Sequence, residues 1–305
     1  MLRSAPAGAS LREHRGSVMI PLVAQSVHHE VHGAGEPLLL IHGTGGSLRV
    51  WDPLVERLAA RRTVIAVDLP GFGLSPRMKP ATLPTPVGFA RVLAGLLREL
   101  GHHTAHVAGN SVGGWTALEM AKIGAARSVV ALSPAGLWAA WRTPLYTGLS
   151  VSATRLSCRL LDPLMPALLS RPLGRKLAMW QQFAHPERLL PLVAVEAAKA
   201  FAYSPGFDEH LMATGRERFV GGRSIEVPVT VAFGERDRLL LRSQSRHRVE
   251  LPPQTRWFEL PGCGHVPTYD DPSLVARVLL QGSVPPIGPP PLPDTLPVPP
   301  PRTRS

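Results

Sequence analysis

The sequence predicts an α/β fold: a mostly parallel central sheet with helices on both faces. Three observations carry this. Short apolar runs of strand length alternate with longer stretches whose apolar residues recur at helical spacing. The apolar runs read as strands buried on both sides, as a parallel sheet under helices requires. Most of the runs end in glycine-rich or polar turns, where such sheets place their binding sites. With 305 residues there is room for one large domain, or a domain with an insertion.

Each element follows from local pattern. Residues 1–20 lack an apolar core of signal-peptide length and include Glu13, so they are expected to be a disordered leader, with Met19 a second candidate start. Residues 22–33 contain alternating positions that suit an edge hairpin. Leu38-Leu39-Leu40-Ile41 is a buried strand that ends at His42-Gly43-Thr44-Gly45-Gly46. Trp51, Leu54, Val55 and Leu58 share a helix face. Thr63 to Val67 is the next buried strand, and it ends at Asp68-Leu69-Pro70-Gly71-Phe72-Gly73-Leu74-Ser75. Residues 76–86 hold four prolines and form a loop. Val87 to Leu100 is an amphipathic helix, and Ser128 to Leu132 is a strand. From about Ala135 to Gly215 the alternation stops. Short helical segments there are broken by Pro144, Pro163, Pro166, Pro172 and Pro186 and carry Trp138, Trp141, Trp180, Phe183, Phe201 and Tyr203. Strand character returns at Val227 to Phe233 and again at Trp257 to Leu260. A closing helix covers roughly Pro272 to Leu280. The last stretch, 283–305, holds ten prolines and is expected to be polyproline-like or disordered.

The most informative stretch is Ala105 to Ile123, AHVAGNSVGGWTALEMAKI. It reads as a strand, a turn at Gly109-Asn110-Ser111-Val112-Gly113, and a helix whose apolar face holds Ala117, Leu118, Met120, Ala121 and Ile123. A Gly-x-Ser-x-Gly turn between strand and helix is the signature of a nucleophile elbow. A strained turn lifts the Ser111 oxygen clear of the backbone, and the flanking glycines avoid collisions with the neighbouring elements. Ser111 then opens a helix, and the Val112 amide points toward developing negative charge. The bland alternative is a glycine-rich turn whose serine caps the helix.

The whole set of marks resembles the α/β-hydrolase fold family over roughly residues 22–282. The marks are the His42–Gly46 run, Asp68–Ser75, Gly109-Asn110-Ser111-Val112-Gly113-Gly114, Gly234-Glu235-Arg236-Asp237 and Gly262-Cys263-Gly264-His265, in the family's order. The resemblance implies an inserted helical lid and a chain order of nucleophile, acid and histidine, met by Ser111, Asp237 and His265. His265 would take the Ser111 proton and return it to the leaving group, and Asp237 would hold the imidazole. Glu235 is the fallback acid. The amides of Thr44 and Val112 would form the oxyanion hole. Asn110 either orients substrate or the oxyanion hole, or suits the turn. His42 fixes the oxyanion loop, Asp68 and Ser75 hold theirs, and Cys263 is read as a small buried hydrophobe. The implied organisation is core over 21–136 and 216–282, lid over 137–215 and tail over 283–305.

Composition narrows the function. Net charge is +11, carried almost wholly by scattered Arg with no dense block, which argues against nucleic acid as a partner. No apolar run is long enough for an integral membrane span. Two cysteines give no disulfide framework, so a reducing, cytoplasmic location is the default. No metal-ligand spacing or phosphate loop is present, and no cofactor is implied. The expected activity is a serine hydrolase that cleaves an ester or related acyl bond of a partly apolar small-molecule substrate through an acyl-enzyme. The family's epoxide-opening and dehalogenating members carry Asp at the elbow, so Ser111 disfavours those reactions. Its carbon–carbon-bond hydrolases are the alternative, since Asn110-Ser111-x-Gly-Gly is similar to theirs. Their tryptophan after the histidine is replaced by Val266. Cofactor-free peroxidase-like chemistry belongs to the same site, and a ligand receptor on this fold is the alternative from another class.

Overall fold

The computed structural model describes residues 27–79 and 82–283. The expected leader, residues 22–26 of the expected hairpin and the proline-rich stretch from residue 284 lie outside the described residues. The strands are β1 (His29–His32), β2 (Pro37–Ile41), β3 (Thr63–Val67), β4 (Ala105–Asn110), β5 (Ala126–Leu132), β6 (Val229–Gly234) and β7 (Arg256–Leu260). They form one seven-stranded sheet in the order β1-β3-β2-β4-β5-β6-β7. The described part of the expected hairpin is the edge strand β1, which pairs antiparallel with β3. Every other neighbouring pair is parallel.

Helices α1 (Asp52–Ala59), α2 (Pro86–Glu99), α3 (Val112–Lys122) and α10 (Pro272–Gly282) flank the sheet; α4 (Leu145–Leu160), α5 (Met165–Ser170), α6 (Pro172–Met179), α7 (Pro191–Tyr203) and α8 (Phe207–Thr214) lie between β5 and β6, and α9 (Arg242–Ser245) follows β6. The runs of β2, β3 and β6 are largely apolar because both faces are covered. In β2, Leu39 and Ile41 join the cluster of Phe89 and Leu93 from α2 and Leu118 from α3. Leu38 and Leu40 join Leu54 and Leu58 of α1 and Val275 and Leu279 of α10 on the opposite face. Leu39 and Leu40 are fully buried, worth about 2 kcal/mol each against exposure.

Helix starts are written locally. Thr85 caps α2 by accepting from the Gly88 amide, Asp271 caps α10 by accepting from the Leu274 amide, and Pro86 and Pro272 open the two helices. Two prolines that read as breakers are starters: Pro166 and Pro172 stand in the first turn of α5 and α6, where the missing N–H costs nothing. The helices between β5 and β6 carry their own apolar cluster, including Met165, Leu169, Phe183 and Ala194. Among the described residues no helix is long and apolar enough to cross a membrane.

Parallel order puts the carboxyl ends of β2, β4, β5, β6 and β7 on one rim. Register sets Ile41 beside Gly109 and Asn110 beside Leu132, so the turns after β2 and β4 meet.

Candidate active site

Ser111 is the residue between β4 and α3, with φ 57° and ψ −118°. It is one of two non-glycine residues with positive φ among those described, a strained state for an L side chain. Close packing enforces it. A Cβ on Gly109 would collide with Gly113, and one on Gly113 would collide with the Ile41 carbonyl. Ser111 occupies the N-cap position of α3, yet its hydroxyl makes no capping bond. The side chain is therefore not a helix cap.

His265 follows β7. Its Nδ1 lies 2.9 Å from Asp237 Oδ2, and both side chains are almost fully buried. Burial would raise the Asp237 carboxyl, but the charge and hydrogen bond of His265 and the amides of Leu240 and Leu239 outweigh it and hold the carboxyl below its ordinary value. An ionised carboxylate only accepts, so Nδ1 carries the proton and Nε2 keeps its lone pair. A ring held in that tautomer can take a proton at Nε2. Glu235 does not compete for this place: it is exposed and accepts from the Gly262 amide.

Ser111, Val112, Thr44 and His265 line one cavity of about 660 Å³. Gly43 lies against the serine; a Cβ there would stand 3.0 Å from the Ser111 Cβ. Among the described residues no group accepts from the Thr44 or Val112 amides. Much of the remaining wall is apolar and comes from α4 to α8 and the turns around them, with Trp138, Trp180, Phe183 and Phe201 among its aromatics; Arg49, Asp52 and Tyr269 also line it. Trp141 and Tyr203 are exposed and lie outside it.

The sequence model of the alpha/beta hydrolase family matches residues 38–278. The chain belongs to the α/β-hydrolase family. The chain is 29% identical over 266 residues to "Putative carbamate hydrolase RutD" of Azorhizobium caulinodans, covering 83% of this chain and 93% of that one. It is 32% identical over 190 residues to epoxide hydrolase EphH of Mycobacterium tuberculosis, covering 60% of this chain and 87% of that one. Among solved structures it is similar to carboxylesterase CesB of Bacillus subtilis, with a TM-score of 0.66 at 22% identity, over 85% of this chain and 88% of that one. That last likeness is one of fold.

Other residues of this α/β hydrolase find definite places. Asn110 is buried and absent from the cavity wall. Its amide donates to the Leu132 carbonyl at 3.2 Å and to the His265 carbonyl at 2.8 Å. Both amide protons are spent on backbone, which is the use expected of a residue that suits the turn. Asn110 thus ties the serine turn to the histidine turn. His42 donates from Nδ1 to the Gly43 carbonyl at 2.7 Å and accepts at Nε2 from the Leu69 amide at 2.9 Å. Both nitrogens are used, and burial lowers its pKa, so it braces the loop in the neutral form. Asp68 accepts from the Leu48 and Leu74 amides, and Ser75 donates to the Asp68 carbonyl. The Cys263 thiol sits in the core, pushed up to about 12 by burial and then by Asp270 and Asp271, so it stays protonated. Among the described residues no three His, Cys, Asp or Glu side chains are grouped so as to hold a metal ion.

Sequence pattern missed two contributors. Asp270 accepts from the Gly264, Ala184 and His185 amides, and so joins the histidine turn to the segment before α7. His210 of α8 reaches Thr44. The sequence marks neither residue, because their partners lie up to 166 residues away along the chain.

Proposed function

We propose that this chain is a serine hydrolase that cleaves a carboxylic ester or related acyl bond through an acyl-enzyme. Ser111 is the nucleophile, His265 the general base and acid, and Asp237 the group that fixes the imidazole. The observation that carries the reading is the buried Asp237–His265 pair, whose His265 lines the same cavity as Ser111, whose uncapped hydroxyl sits at positive φ; among the described residues no hydrogen bond engages His265 Nε2. The substrate carbonyl would sit against the Thr44 and Val112 amides, whose lack of acceptors suits an oxyanion. Attack transfers the acyl group to Ser111 Oγ, and the proton passes to His265 and then to the leaving alcohol. Water, activated by the same ring, releases the acid. The helices from α4 to α8 act as a lid over the acyl chain, and their largely apolar wall suits an uncharged one.

The similarity to an epoxide hydrolase does not change this reading, because the elbow carries Ser111 where epoxide-opening members use Asp. The carbon–carbon-bond alternative draws support from Asn110-Ser111-x-Gly-Gly and is weakened by Val266 after His265.

The test is turnover of p-nitrophenyl butyrate together with labelling by a fluorophosphonate. Wild-type protein hydrolyses the ester and is labelled at Ser111, and Ser111→Ala loses about 10⁴-fold in kcat with the label gone. Equal turnover by the variant would refute the covalent route. Tight binding of a small ligand without labelling would favour a receptor.

A further inference from the structure

The oxyanion loop, His42-Gly43-Thr44-Gly45-Gly46, has one side chain among its glycines, Thr44. The hydrogen bond of that side chain goes neither to the loop nor to the sheet: Thr44 Oγ1 lies 3.2 Å from His210 Nε2, on α8. His210 is buried, and its Nδ1 is 2.7 Å from the Pro84 carbonyl. A carbonyl can only accept, so Nδ1 carries the proton and Nε2 the lone pair. The Thr44 hydroxyl must therefore donate to His210, which fixes its rotamer. The ring is locked in turn by edge contacts from Phe72 and a tilted contact from Phe89, with centroids at 5.9 and 5.5 Å. On the other side of Thr44, Gly45 holds φ +74°, and a Cβ there would collide with the Phe201 ring of α7. Glycine-flanked backbone is free to wander unless something outside holds it.

We propose that His210 is a positioning residue: through the Thr44 hydroxyl it sets the Thr44 amide against the carbonyl oxygen of the substrate, so that the helices between β5 and β6 help to build the site they cover. This rests on the serine-hydrolase reading above. It gives α8 a part in transition-state stabilisation beyond walling the cavity. An amide donor acts on charge that develops at the transition state, so loosening it lowers kcat and leaves ground-state binding nearly unchanged.

The test is a double-mutant cycle with p-nitrophenyl butyrate. Thr44→Val keeps the amide and the shape but removes the donor. His210→Phe keeps the ring packing but removes the acceptor. Each single variant lowers kcat by about 10-fold with KM within about 2-fold, and the double variant falls no further than either single. Wild-type kcat in Thr44→Val, or fully additive losses in the double variant, overturns the proposal. Should His210→Phe fail to fold, Thr44→Val alone decides through the split between kcat and KM. If wild-type protein is not labelled by fluorophosphonate and does not hydrolyse the ester, the underlying reading has failed. If it passes both and the cycle shows no coupling, only the role of His210 has failed.

Discussion

Residue by residue, chemistry here is a matter of which lone pairs are left over. His42, His210 and His265 all line the same cavity. Their partners separate them. His42 and His210 each have both nitrogens engaged, whereas His265 has its Nδ1 on a carboxylate and, among the described residues, no hydrogen bond at Nε2. Burial also writes a pH dependence into stability. It lowers the His210 pKa to about 4, against the raising effect of its bond to Pro84. The unfolded ring titrates near 6.5. Between those values the unfolded chain binds a proton that the folded chain refuses, so stability falls as pH drops from about 6.5 toward 4 and then levels off. The share of His210 is about 3 kcal/mol at pH 4. Urea unfolding at pH 7 and at pH 4.5 measures it: wild-type protein loses stability steeply over that range, and His210→Phe loses markedly less. Equal losses in both proteins would show that His210 accepts a proton without unfolding.

At the scale of elements, the strand–turn–helix around Ser111 holds its shape because α3 starts hard against β2. Gly113→Ala forces a Cβ onto the Ile41 carbonyl, and no flexible side chain is there to yield. A loss of more than about 3 kcal/mol is expected, read as a lowered melting temperature or insoluble protein. Gly95 inside α2 makes the contrast: a Cβ there meets only the far end of Arg98, at 4.0 Å. Gly95→Ala is expected to raise stability by about 1 kcal/mol, through helix propensity and reduced unfolded-state entropy. If the two substitutions behaved alike, the close approach of α3 to β2 would be wrong. Elements were the most legible level in the sequence. Thr63 to Val67 is a strand with the expected bounds, and β2, β4, β7 and α2 lie within a residue or two of expectation. Apolar runs and proline or capping starts are local signals, and local signals survive folding. The helices between β5 and β6 were less legible, because prolines that read as breaks stand at helix starts.

On the scale of the whole molecule, the cavity belongs to no single segment. Its walls come from the turn after β2, the start of α3, the turn after β7 and most of the helices from α4 to α8. A volume of about 660 Å³ behind the serine, with Met165, Leu169, Leu177 and Val193 on its wall, is room for an extended apolar chain. Lengthening the acyl group of p-nitrophenyl esters from acetate to octanoate is expected to lower KM by up to about 4-fold per methylene, reflecting about 0.8 kcal/mol for each group buried. Ala197→Trp, which fills part of that wall, shifts the optimum to shorter chains. A KM independent of chain length would place the acyl group elsewhere.

The linear pattern contained the parallel α/β architecture and the candidate serine, histidine and acid. Each is announced by short-range chemistry: an apolar run of strand length, glycines where backbones must touch, a polar residue at the end of a strand. What the pattern left undecided was settled by partners far apart in the chain. Asn110 read equally as a residue for the site or for the turn, and folding puts its amide on the carbonyls of Leu132 and His265. Asp237 read as the candidate acid with Glu235 as the fallback, and it is Asp237 that lies beside the His265 ring while Glu235 accepts from the Gly262 amide. His210 carried no signal at all until folding brought α8 over the glycine loop. A hydrogen bond depends on distance in space, and no local periodicity encodes the distance between residues a hundred positions apart.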